Sequence, residues 1–318
     1  TVTAVQAVYA EFKKTLTLTP TMRTQLDQAV QNWTVPTISF PPGNLYGGLF
    51  DLATFGHEDV GHNVIHSVPG LREELSTKIS HALPGNLGQY WADRVDETAS
   101  DIMGILHGGP AVALAFVYSL RGQGKLLFTA IAGDVHPVDV LRAFVAQAAI
   151  RSLNTTDSQS YITQLDSFID RSLNKSNIQI SVYETITREQ GKTSAQTVTD
   201  LILNSPLRSL GNRSLSSIRK WNEQDQRIAT TIRQNMYAGQ LQNALTQSAD
   251  EYAFHAVAAA IAEAADSRIY HGKVGIDKVQ LIFQHTITIL ETMHLYNPRW
   301  SQQRDFSVYD RSCECVLV

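Results

Sequence analysis

The stretch from Phe55 to His66, Phe-Gly-His-Glu-Asp-Val-Gly-His-Asn-Val-Ile-His, constrains this chain more than any other. Three histidines and a glutamate, His57, Glu58, His62 and His66, fall within ten residues. On a helix Glu58, His62 and His66 stand at i, i+4 and i+8 and share one face, with His57 beside them. Imidazoles four apart on a helix can converge on one divalent ion. The pattern predicts a metal-bearing helix over about residues 49–67, stopped by Val68-Pro69-Gly70. The rest of the chain then has to complete the site.

The rest reads as mostly α. Residues 4–33 predict helix broken near Thr19-Pro20, and residues 34–48 predict an irregular segment with an edge strand at 35–40. Helices are expected at 71–81 and 89–106, with Gly108-Gly109-Pro110 ending or bending the second. Residues 111–120 are nearly all apolar and predict a buried helix. A Gly-rich basic turn follows at 121–125. Pro137 is placed for the first turn of a helix over 137–153. The polar run 154–160 predicts a boundary between a metal-binding domain, 1–153, and a helical domain, 154–318. Helices are expected there at 160–174, 194–204, 215–248, 249–267 and 275–295, with a strand at 177–184 and an irregular tail after Pro298. The helical domain is expected to cover the site or to mediate homo-oligomerisation.

Composition narrows the function classes. The chain has 318 residues, is 43% hydrophobic and 18% charged, and carries a formal charge of -4. That suits a soluble globular protein and argues against nucleic acid or an anionic membrane as the main partner. No signal-peptide pattern opens the chain, and no apolar run approaches the roughly 20 residues of a membrane span, the best being 110–120. A soluble protein, placed in the cytoplasm, is expected. The two cysteines, Cys313 and Cys315, are one residue apart and cannot staple a fold. Cys315-Val-Leu-Val has the form of a prenylation signal with an unusual last residue, and an apolar tail is the preferred reading.

Two further elements carry chemistry. In Asp93-Arg-Val-Asp-Glu-Thr-Ala-Ser-Asp101, Glu97 and Asp101 are four apart on one helical face. Hydrolytic zinc sites take three protein ligands and keep one position for water, so Glu97 is a suitable third donor. Asp101, one turn on, can orient a ligand histidine from behind. The competing reading is a solvated acidic face, but Glu97 lies among Val95, Ala99 and Ile102. The third element, Asp134-Val-His-Pro-Val-Asp-Val-Leu-Arg142, sets His136 and Arg142 about a turn apart, where both can stabilise an oxyanion. His255, four after Glu251, reads as half of a local ion pair, with a second metal pair as the alternative.

Taken in order, His-Glu…His, Glu-x-x-x-Asp and His-Pro-x-x-x-x-Arg resemble the gluzincin zinc metallopeptidases, most of all the group with the CAAX-prenyl proteases and heat-shock membrane proteases. The resemblance covers roughly residues 50–153. It implies zinc held by two histidines and Glu97, a glutamate general base in Glu58, and His136 near the substrate. The family's transmembrane helices are missing, so its membrane substrates do not carry over. The family also places its ligand histidines four apart, whereas His57 and His62 are five apart. Two arrangements reconcile this. A π-bulge would bring His57 and His62 to the metal with Glu58 as base. A regular helix would instead use His62 and His66. The second needs no distortion and is preferred for the metal, while the first keeps the chemistry better. Both keep His62 and Glu97. The expected function is metal-activated hydrolysis of a peptide or small-molecule amide. The alternatives are an inactive metal-binding or scaffold relative, and a non-peptidase enzyme using iron or manganese.

Overall fold

The structure is a computed structural model, and it describes residues 14, 19–31, 54–120, 127–172, 177–181, 184–237, 252–265 and 276–296. The helix expected before Thr19, the edge strand at 35–40, the start of the metal helix at 49–53, the turn at 121–125, Glu251 and the cysteine tail lie outside these residues. Thr1–Phe40 and Pro41–Val318 group as separate compact units. In the first, Pro20–Gln31 is a helix, α1. In the second, a π-helical turn Gly56–His62 runs into α2, Asn63–Ser67. There follow α3 (Leu71–Ala82), α4 (Asn86–Ala92), α5 (Val95–Leu120), α6 (Asp139–Leu153) and α7 (Ser158–Ser172). Strands β1 (Asn177–Gln179) and β2 (Thr185–Thr187) precede α8 (Arg188–Asn204), α9 (Leu215–Ile218), α10 (Glu223–Tyr237), α11 (Tyr252–Ala265) and α12 (Ile276–Tyr296). The fold is mostly α, as the sequence predicts.

α5 and α6 form the centre of the core. Ala99, Ile102, Met103, Ile105, Leu106, Ala113 and Leu114 of α5 are all buried, and so are Val140, Leu141, Phe144, Val145 and Ile150 of α6. A helix apolar on every side must be covered on every side. Accordingly α5 packs against the π turn, α6, α7 and α11, and α6 against α7 and α8. Helices from both sides of the expected 153/154 boundary therefore share this core. Asn154, in a left-handed conformation at φ 55°, turns the chain out of α6.

Several expectations are corrected in detail. The helix expected at 89–106 is divided at Asp93–Arg94 into α4 and α5. The segment Gly108-Gly109-Pro110, by contrast, interrupts the helix as expected: Gly109 takes the non-helical φ 72°, ψ -166°, and α5 is two helical stretches joined across that kink. At 26 residues, α5 is long and apolar enough to cross a membrane by length and composition, with 78% of its most apolar window buried inside the protein. A mostly buried core helix meets the same test, and the kink at Gly109 divides this apolar length. Pro137 precedes α6, whose cap is Val138. α8 starts earlier than expected because Thr187 and Gln190 form a capping box. The strand expected at 177–184 is half of a hairpin that pairs Ile178 with Ile186, both buried.

Candidate metal centre

The regular helix preferred from the sequence is not what forms: Gly56–His62 is a π-helical turn. A π turn bonds i to i+5, so His57 and His62, five apart, face the same way. Packing explains why the extra residue is absorbed there. A Cβ on Gly56 would lie 2.9 Å from the Gly104 Cα, and one on Gly61 would lie 2.4 Å from the Ser100 Cα. The two backbones approach this closely only because small residues face each other. Ile65, 2% exposed, anchors the far end of the segment in the core. Bulging between the anchors keeps Gly56, Gly61 and Ile65 seated together.

Three donors converge in consequence. His57 Nε2 is 3.2 Å from His62 Nε2 and 3.2 Å from Glu97 Oε2, and His62 Nε2 is 3.6 Å from Glu97 Oε1. Donors bound tetrahedrally to zinc at about 2.0–2.1 Å are separated by roughly 3.4 Å. Each histidine is held from behind by a carboxylate: His57 Nδ1 by Asp101 at 2.7 Å, and His62 Nδ1 by Asp96 at 3.0 Å. A carboxylate only accepts, so each Nδ1–H donates and each Nε2 presents a lone pair. Two lone pairs and a carboxylate then share a buried space. Glu97 Oε2 is moreover buried between His57 Nε2 and His136 Nε2, 3.2 Å from each, without a well-aligned hydrogen bond. A divalent cation would satisfy all three, and the carboxylate–histidine backing is the usual support of such a ligand. The donor set fits zinc, and His57, His62 and Glu97 could hold a metal ion.

The electrostatics agree with this reading. Burial opposes charge on His57, but its bonds to Asp101 and Glu97 prevail and raise its pKa to about 9. His62 is raised by its bond to Asp96 against burial. Burial would raise Glu97, yet His136 and His57 hold it well below the ordinary carboxylate range. Asp101 is likewise lowered despite burial, by Arg142 and His57. Without an ion, protons take the place of the positive charge that the cluster calls for.

The other predicted residues lie around this centre. Asp101 lies behind His57, its Oδ1 2.7 Å from Nδ1. His66, 54% exposed, is turned away from Glu97 and reaches Asp96 Oδ2 at 3.2 Å. His136 Nε2 lies 3.2 Å from Glu97 Oε2, and its Nδ1 donates to Asp134 at 2.7 Å. Arg142 does not join His136 at one spot. It donates to Asp101 from Nε at 2.9 Å and from Nη2 at 2.8 Å, under cover of Phe116. Its donors are engaged behind His57. Glu58 is half-buried and makes no hydrogen bond or ion pair with the described residues. The sequence reading missed Asp96 and Asp134 as backing carboxylates, although each lies close to a site residue in sequence. His255 is buried and meets Asp225 at 3.0 Å. Compared with known proteins, the chain matches no family model, no curated protein and no solved structure.

Proposed function

We propose that the protein is a zinc-dependent, peptidase-like hydrolase that cleaves a peptide or amide bond at the His57–His62–Glu97 centre. The observation that carries this is the convergence of three donors whose remaining ring nitrogens are already committed to Asp101 and Asp96. With the π turn, the order His57-Glu58…His62, Glu97…Asp101 and His136 keeps its resemblance to the gluzincin pattern despite the longer spacing.

A divalent ion bound there would polarise a water molecule and lower its pKa towards neutrality. Glu58, next to His57 on the same turn, takes the proton of the attacking water and passes it to the leaving amine. His136, its Nδ1 held by Asp134 and its side chain 42% exposed, offers Nε2–H to the carbonyl oxygen as that oxygen becomes negative. Arg142 acts through Asp101, fixing the carboxylate that fixes His57. The second reading is a metal-binding protein without turnover, and the isolation of Glu58 from the described polar network favours it.

Elemental analysis of the chelator-free protein tests the centre. One equivalent of tightly bound zinc is expected, and that tight binding should be lost in His57→Ala and Glu97→Ala. Glu58→Gln should keep the zinc and abolish cleavage of a mixed peptide library. Zinc without cleavage by the unaltered protein selects the second reading. Iron or manganese in place of zinc rejects the zinc peptidase, and no metal rejects the centre itself.

A further inference from the structure

The ring of His62 has two faces, and only one belongs to the centre above. On its other side Nδ1 lies 3.0 Å from Asp96 Oδ1, and His66 Nε2 lies 3.2 Å from Asp96 Oδ2. His62 and His66 are four apart, and their rings stack within 17° of parallel at 5.8 Å. Beyond the bulge the chain is ordinary α-helix, which puts residues four apart on one face. His62, His66 and Asp96 thus form a second group able to hold a metal ion. The inner centre is buried, with His57 at 9% and Glu97 at 8% exposure. The outer group ends in the exposed His66. Arg72 Nε, on an exposed side chain, is 3.9 Å from Asp96 Oδ2 and is the cation an arriving ion would displace.

From this geometry we propose that His62, His66 and Asp96 form an outer divalent-metal site, which captures an ion and delivers it to the inner centre. The proposal rests on the inner-centre reading and adds its loading route. The His62 tautomer decides which site is complete. With the proton on Nδ1, bonded to Asp96, Nε2 is free for the inner centre. With the proton on Nε2, the Glu97 carboxylate faces it, Oε1 at 3.6 Å, and Nδ1 is free for the outer site. A neutral imidazole has one lone pair to give, so the two complete sites exclude each other. An ion on the outer donors passes inward as His62 exchanges tautomers. The outer set, two imidazoles and one carboxylate near the surface, suits zinc and similar borderline cations.

Zinc alone is the probe, titrated into the full chain against a fluorescent chelator, with circular dichroism as the check on folding. His57→Ala should retain about one equivalent, bound roughly tenfold or more weakly than in the unaltered protein. The same titration on Glu97→Ala gives a second view of the outer site should His57→Ala fail to fold. His57→Ala/His66→Ala should bind none. His66→Ala alone should keep the tight equivalent and take it up several-fold more slowly in stopped flow. Folded His57→Ala and Glu97→Ala that bind no zinc would overturn the outer site and leave the inner one standing. So would unchanged binding in the double variant or unchanged uptake by His66→Ala. No zinc on the unaltered protein would remove both sites.

Discussion

At the scale of single residues, the centre depends on side chains that are absent as much as on those present. His57 and His62 can face each other at 3.2 Å because Gly56 and Gly61 let their turn sit directly on α5. A methyl group on Gly61 would lie 2.4 Å from the Ser100 Cα and 2.5 Å from its Cβ. A Cα is not the free end of a side chain and cannot swing aside. Overpacking a tight contact typically costs about 1–3 kcal/mol, and this one belongs at the upper end. Gly61→Ala should therefore lower stability by roughly 3 kcal/mol in denaturant unfolding and reduce bound metal in the fraction that folds. Asp59→Ala, on the exposed side of the same turn, should change neither. Gly61→Ala with ordinary stability and full metal content would show that close backbone approach does not set the site.

At the scale of elements, the π turn decides which histidines meet. If the bulge only absorbs one extra residue, removing an exposed residue from it should give a regular helix with both flanks still in place. Deleting Asp59 brings His57 and His62 to a spacing of four, which a normal α turn also puts on one face. The deletion variant should keep its fold, hold the same metal equivalent and lose less than about 1 kcal/mol. A folded deletion variant without metal would show that the bulge itself is needed for coordination. This is also where the sequence was least legible. The types of the donors, and Asp101 behind them, can be read from spacing because they repeat along helices. The choice between His57 and His66 cannot, because it turns on Gly61 meeting Ser100 from another helix. Asp96 carries no backing signal in the sequence for the same reason: its partners His62 and His66 lie more than eight turns of helix away in sequence. The helices of the core were legible, since continuous apolar stretches such as 111–120 leave no alternative to burial. The break at Asp93–Arg94 has no comparable sequence signal.

At the scale of the whole molecule, the charge of the centre should couple metal, protons and stability. His57 in the ion-free protein has its pKa raised to about 9 from 6.5. A raised pKa means that the folded state holds the proton more tightly than the unfolded state does. The resulting stabilisation is complete below about 6.5 and is lost as pH rises through about 9, amounting to at most on the order of 3 kcal/mol. Asp139, raised to about 6 by burial, has the same sign but acts at lower pH, where its contribution is lost between about 4 and 6. Metal loading reverses the trend above neutrality, because a metal binds His57 only after that proton has gone. The stability an ion confers grows with the ratio of its concentration to its dissociation constant, and that constant falls as protons stop competing. Melting curves from pH 6.5 to 9 should thus diverge: Tm of the chelator-treated protein falls, while Tm of the protein with excess zinc holds or rises. His57→Gln should flatten the first curve and bring the two together. Parallel curves for the unaltered protein, with and without zinc, would mean that the ion and the His57 proton do not compete for one place.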